Sequence, residues 1–257
     1  SGKHLWAQRF DRRLADIFRL QDDVNKEIVA ALRLRFSTEV EGSPIRRGTE
    51  VVDAYDYVLR GINEARTFTK EGTIRARYCF EQALKLDAAY SAAYARLAVS
   101  YVYWWIAGWT DSREESLERG LSLAKRAVAL DGGMSLCHAA LCWALLWTGD
   151  FDSAMSEGEH AVAIDPNNVV ALEFLALVAG WGGQPALALE YLEKASRLNP
   201  HEPYNFGRGL AYFLVEDYSR AADLLSNSVE RHPHFLPSHV YLASCYGLLG
   251  QSSQARV

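Results

Sequence analysis

His138 and Cys142 lie four residues apart, a spacing that puts an imidazole and a thiol on one face of a helix. That is half of a metal site. Structural zinc takes four ligands, and no second pair with ligand spacing is visible, so both residues read as packing. His232-Pro233-His234 sits in a turn signal, where two exposed imidazoles are the plainer expectation. Glu157 and Glu159 are two apart, so on a helix they point in different directions and form a solvated face rather than a carboxylate dyad. No Gly-rich phosphate loop, HExxH, GxSxG or nucleophile–base spacing is present. The sequence therefore assigns no catalytic, cofactor-binding or metal-binding residue. The cysteines Cys79, Cys137, Cys142 and Cys245 form no CxxC pair and fall among apolar neighbours, as small reduced hydrophobes would. A cytoplasmic setting agrees with that.

What must position any functional surface is a unit written out twice between Leu136 and Pro200, with a period of 34 residues. Leu141, Gly149, Ala154, Ala161 and Pro166 recur as Leu175, Gly183, Ala188, Ala195 and Pro200. Each unit predicts two antiparallel helices. Small residues belong where helix axes approach most closely: Ala154 and Ala188 open the second helices there, faced by Cys142 and Ala176. Gly149 and Gly183 end the first helices, where a left-handed backbone costs glycine little. Asp165-Pro166 and Asn199-Pro200 end the second ones.

The pattern resembles the tetratricopeptide repeat, which carries Leu, a small residue and an aromatic in its first helix, then Ala, a large apolar residue, Ala and Pro. A further copy has Gly209, Tyr212, Ala221, Leu225 and Pro233, one residue short of the period, and a last begins with Leu242, Ala243, Tyr246, Gly250 and Ala255. The departures are Gly158 where a large residue is usual, Arg208 for Leu and Ser228 for the second Ala, which are expected to loosen local packing. Upstream, a degenerate repeat places its first helix at about 52–65 and its second at about 74–86, with Ala88 for the usual proline. The next has Tyr94, Leu97, Ala98 and Tyr101, then an insertion through Trp104, Trp105 and Trp109, and a second helix holding Gly120, Ala124 and Ala127.

Residues 3–9 alternate weakly as a strand would. A helix over residues 14–36 is opened by Leu14 and closed by Phe36, with Ile17, Phe18, Val24, Ile28 and Leu32 continuing its apolar stripe. The run HLWAQRFDRRLADIFRLQDDVNKEIVAAL is similar to the segment that, in a bacterial signalling family, closes a small α/β domain after a nucleotide cyclase or winged-helix DNA-binding domain and precedes tetratricopeptide repeats. The resemblance implies the repeat region of an adenylate or guanylate cyclase-type protein, or the sensor region of a winged-helix transcription regulator, with the active part upstream. The expected organisation is 1–36 as the end of that α/β domain, 37–50 as a polar linker with Gly42, Pro44 and Gly48, and 51–257 as an all-α, right-handed helical-hairpin solenoid of about five repeats and a partial sixth. The chain opens in mid-pattern and stops inside a helix, so it reads as a piece of a longer protein.

Net charge is −5, with no basic block and no basic–aromatic interleaving, which argues against a nucleic-acid surface. No apolar run approaches the ~20 residues that span a bilayer, and no secretory signal opens the chain. The informative feature is apolar surface. In the family it resembles, first helices line a concave groove, and those positions here carry Tyr103, Trp143, Trp147, Phe174, Trp181, Phe206 and Phe213. These seven are the expected protein-binding groove. It lacks the Lys, Arg and Asn set with which some relatives clamp a peptide carboxylate. The helix from Leu136 to Trp147 is apolar almost all round and must be covered on every side. Three coverings are open: tight winding or the 14–36 helix docking inside, a homodimer, or an amphipathic segment or small apolar ligand. The expected role is a non-catalytic interaction scaffold.

Overall fold

The structure, a computed structural model, describes residues 49–110, 112–251 and 253–255. The strand expected over 3–9, the helix over 14–36 and all but the end of the 37–50 linker lie outside the described residues. Within them the chain forms eleven helices and no strand. Five antiparallel hairpins follow one another: α1 (Val52–Ala65) with α2 (Lys70–Leu86), then α3 (Ser91–Ile106) with α4 (Arg113–Leu130). Next come α5 (Ser135–Thr148) with α6 (Phe151–Ile164), and α7 (Val169–Trp181) with α8 (Pro185–Leu198). Last are α9 (Asn205–Leu214) with α10 (Tyr218–Arg231), followed by α11 (Leu236–Leu248).

The helix ends follow local chemistry. Thr69 caps α2 by accepting from the Gly72 N–H at 3.1 Å, so this helix starts at Lys70, earlier than its apolar spacing alone indicates. Asp150 and Asp217 cap α6 and α10 by accepting from the N–H groups of Ser153 and Arg220, each at 3.2 Å. Gly149, Gly183 and Gly250 take φ of +83°, +78° and +74° at the hairpin turns. Glu216 stands at the same place in the α9–α10 turn with φ +65°, a left-handed conformation without glycine's freedom. Between hairpins, the Asp87, Asp131 and Asp165 side chains each accept from the N–H two residues on, at 2.9, 3.0 and 3.0 Å. Asp87 makes that turn although no proline follows it.

The small residues do sit at the helix crossings: Ala154, Ala188 and Ala221 are fully buried, as are Cys142 and Ala176. All three departures from the repeat pattern are packed rather than loose. A Cβ on Gly158 would meet Leu175 Cδ1 at 2.7 Å and Cys142 Sγ at 3.1 Å, so its neighbours already occupy the space a large residue would fill. Arg208 Nη2 donates to Ser196 Oγ at 2.7 Å, tying α9 to α8. Ser228 and Ser238 share a buried 2.8 Å hydrogen bond that joins α10 to α11. Helix α5 is the centre of the stack and packs against α3, α4, α6 and α7. From Ser135 to Leu146 every residue except Leu136 is buried. Its all-round apolar character is thereby accounted for.

Candidate functional site

First helices supply the inner face of the stack, and their aromatic residues touch in sequence. Trp143 stacks on Phe174 with centroids 4.5 Å apart and meets Trp147 edge-on at 5.4 Å. Trp147 in turn meets Trp105 at 5.5 Å and Trp181 at 5.1 Å, and Trp181 meets Phe206 at 5.6 Å. Phe206 reaches Phe235 at 4.8 Å and Tyr241 at 6.2 Å, and Phe213 joins through Tyr241 at 5.1 Å. Edge-to-face pairs of this kind each add about 0.5–1.5 kcal/mol beyond area burial. The wall is a continuous aromatic packing that runs from the second hairpin to α11.

Tyr103 enters the same network from the other side. Its ring lies parallel to Phe235 at 6.4 Å and edge-on to Phe68 at 5.6 Å. Phe68, from the α1–α2 loop, rests on His232 at 4.2 Å, and Trp109, from the α3–α4 loop, meets His234 at 5.5 Å. The superhelical turn therefore curls until its first two hairpins meet the α10–α11 turn. Turn side chains and Tyr103 make this meeting, rather than packed helix faces. Phe68 is held at φ +50°, a left-handed conformation costly for an aromatic residue.

All seven residues read from the sequence face this network, and none of them is exposed: Trp143 and Phe206 are buried and the other five are half-buried. Sequence reasoning missed Phe68, Trp105, Trp109, His232, Phe235 and Tyr241 as members. Tyr241 was findable, because it falls two repeats after Phe174 at the same place in its helix. The turn residues had no such signal. The His232-Pro233-His234 expectation is corrected: His232 is half-buried beneath Phe68, although His234 is exposed.

Electrostatics on this face are uneven. Trp181 Nε1 donates to Tyr241 Oη at 2.7 Å. By contrast Tyr103 Oη, Trp143 Nε1, Trp147 Nε1, Arg96 Nε and His232 Nδ1 are buried with no hydrogen-bond partner among the described residues. Burial pushes the Tyr103 hydroxyl well above the usual tyrosine range. It lowers Arg96, with the Arg66 charge adding to that and Tyr90 opposing it. Burial also lowers His232, against a raising influence from Glu202. Glu173, beside Phe174 on α7, is pushed up to about 7 by burial and then by Glu202.

The other candidates resolve as packing. His138 Nδ1 lies 2.6 Å from Glu157 Oε2, its Nε2 lies 2.9 Å from the Gly132 carbonyl, and its ring stacks on His160 at 4.3 Å. Glu157 is thus a partner across α5 and α6, and the solvated-face expectation holds only for Glu159, which is exposed. Cys137, Cys142 and Cys245 are buried free thiols and Cys79 is half-buried; burial pushes Cys137 up to about 11. Among the described residues no group of three or more His, Cys, Asp or Glu could hold a metal ion, and no helix is long and apolar enough to cross a membrane.

No family model matches the chain. A stretch of 161 residues, 63% of this chain, is 34% identical to "Putative adenylate cyclase 3" of Rhizobium meliloti (strain 1021) and spans 27% of that protein's length. Among solved structures, a thermophilic TPR protein of Thermus thermophilus is similar over 75% of this chain and 98% of its own, at 18% identity and a TM-score of 0.55. Human IFIT1, solved as a dimer with m7Gppp-AAAA, is similar over 94% of this chain and 56% of its own, at 18% identity and a TM-score of 0.64. These likenesses show the tetratricopeptide-repeat fold.

Proposed function

We propose that this chain is the non-catalytic interaction scaffold of a bacterial cyclase-type signalling protein, and that it acts by joining two copies of that protein. The observation that carries the reading is the 34% identity over 161 residues to an adenylate cyclase-named protein, in a chain whose described residues form stacked hairpins. Hairpin stacks present extended surfaces that fold without committing side chains to chemistry. The aromatic wall around Trp147 and Trp181 supports the role by fixing the curvature of the scaffold from within. A second surface supports self-association. Leu236, Val240, Leu248 and Leu249 are exposed on or just after α11, and at Val240 the matching residues of α5 and α9, Ala139 and Phe206, are buried. Exposed apolar stripes of this kind mark places where proteins meet.

Sedimentation equilibrium of the whole chain tests this reading. The expected result is a dimer at micromolar concentration, converted to monomer by Val240→Glu with Leu248→Glu. A monomer at several hundred micromolar, with the wild-type circular dichroism of a helical protein, overturns it.

A further inference from the structure

We propose that the helix expected over residues 14–36 docks on the open end of the stack, antiparallel to α1 and against Leu59, where it takes the place of a preceding second helix. This goes beyond the scaffold reading and does not depend on it. Every later first helix rests on the second helix of the hairpin before it: α3 on α2, α5 on α4, α7 on α6, α9 on α8 and α11 on α10. Among the described residues nothing precedes α1 in this way.

Leu59 marks the gap. Gly61 lies under the Phe80 ring as Gly209 lies under Leu225, so the two glycines hold equivalent places at their helix crossings. Leu59, two residues earlier, therefore matches Gly207. A Cβ on Gly207 would meet Leu192 Cδ1 at 3.0 Å and Leu177 Cδ2 at 3.5 Å, both in the preceding hairpin. Phe174 holds the same place on α7, two residues before Ala176, and stacks on Trp143 of the hairpin before at 4.5 Å. The position faces backwards along the stack. Gly207 is buried and Phe174 half-buried there, whereas Leu59 is 46% exposed. Solenoids finish their ends with a polar outer face, and a leucine in that place is an apolar surface without its cover.

The segment next in line has the character of that cover. Residues 14–36 carry Leu14, Ile17, Phe18, Val24, Ile28 and Leu32 along one stripe. Thr49 Oγ1 donates to Asp87 Oδ2 at 2.6 Å, which fixes where the chain enters α1. The twelve residues 37–48 reach up to about 40 Å when extended. That exceeds the ~21 Å length of α1, so the linker does not restrict the docking. Charge selects the orientation. Along α1 the exposed charges run from Asp53 and Asp56 to Arg60 and, just past its end, Arg66. The Asp56–Arg60 pair leaves both side chains more than half exposed. In residues 14–36 acidic Asp22 and Asp23 come before basic Arg33 and Arg35. Antiparallel docking sets each charge against its opposite, and parallel docking sets like against like. The inner wall, by contrast, is already filled by its own rings.

Hydrogen exchange of the whole chain, read peptide by peptide in a mass spectrometer, tests the docking. Residues 14–36 are expected to exchange at least tenfold more slowly than an unstructured chain, at any protein concentration. Leu59→Glu is expected to speed that exchange at least tenfold while leaving α5 as protected as before, and Ile28→Glu to speed exchange in α1. Tyr78→Glu is the control. Two residues before Phe80, Tyr78 is exposed on the side of α2 turned away from α1, and its replacement is expected to leave residues 14–36 unchanged. Orientation is read by disulfide trapping in a Cys79→Ser background: Arg33→Cys with Asp53→Cys is expected to cross-link at least tenfold faster than Arg33→Cys with Arg66→Cys. Free exchange of residues 14–36, protection indifferent to Leu59→Glu or equally sensitive to Tyr78→Glu, protection lost on dilution (the mark of a second copy), or cross-linking that does not favour Asp53 each overturns the proposal.

Discussion

Trp181 Nε1 and Tyr241 Oη are 60 residues apart in sequence and 2.7 Å apart in space, joined across the inside of the turn from α7 to α11. Removing one partner leaves the other buried and unpaired, which costs about 1–3 kcal/mol, whereas removing both is nearer neutral. Trp181→Phe and Tyr241→Phe are therefore each expected to destabilise, and the double variant to lose less than the sum. Urea unfolding of the four proteins measures this, and strict additivity would contradict the bond.

Gly158 is held small by its neighbours. Alanine at a helix interior ordinarily gains about 1 kcal/mol over glycine. Here its Cβ would lie 2.7 Å from Leu175 Cδ1 and 3.1 Å from Cys142 Sγ, both on fully buried side chains. Overpacking of this kind costs about 1–3 kcal/mol, so Gly158→Ala is expected to lower stability in spite of its propensity. A gain in the urea midpoint would show that Leu175 yields freely.

Glu216 is the opposite case. It holds φ +65° where the other turns of its kind have Gly149, Gly183 and Gly250. Glu216→Gly is expected to gain about 0.5–1 kcal/mol by removing left-handed strain, part of which is lost to the greater freedom of glycine in the unfolded chain. A thermal melt would register a small upward shift, and a downward one would refute the strain.

Two groups on or near the inner wall set opposing pH dependences. Glu173, pushed up to about 7, binds its proton more tightly in the folded state, so its contribution is complete below the ordinary carboxylate range and is lost as pH rises through 7. His232 is lowered by burial, so its contribution is complete above the ordinary histidine value of about 6.5 and is lost as pH falls below it. Glu202 raises both groups, and Arg231 further lowers His232. Glu173→Gln is expected to stabilise by about 1–2 kcal/mol at pH 8, a figure reduced for its residual solvent contact, and to change little at pH 4.5. His232→Phe is expected to flatten the acid limb. Melting curves from pH 4.5 to 8.5 decide both, and a Glu173→Gln gain as large at pH 4.5 as at pH 8 would contradict the assignment.

The hairpins were legible because their causes are local and repeated: Ala154 and Ala188 mark crossings, Gly149 and Gly183 mark turns, and proline marks the ends. The aromatic wall was legible for the same reason, since a repeat projects equivalent positions onto one face. The meeting of Phe68 with His232 was not. It depends on the accumulated angle of five hairpins, and no residue near either turn encodes that sum. Glu157 escaped because its partner, His138, belongs to the other helix of the hairpin, and spacing along α6 alone carries no sign of it. Gly158 read as a defect because a pattern records which residue is missing, while the space it leaves is filled by Leu175 from the next repeat.

The meeting of the α1–α2 loop with the α10–α11 turn makes the number of hairpins a structural quantity. Inserting or deleting one 34-residue unit would carry His232 and Phe235 past Phe68 and Tyr103 and turn a closed loop into an open spiral. Hairpin stacks generally tolerate changes of length, since each unit leans only on its neighbours; between Phe68 and His232, however, the contact of two distant turns holds the hairpin count at its present value.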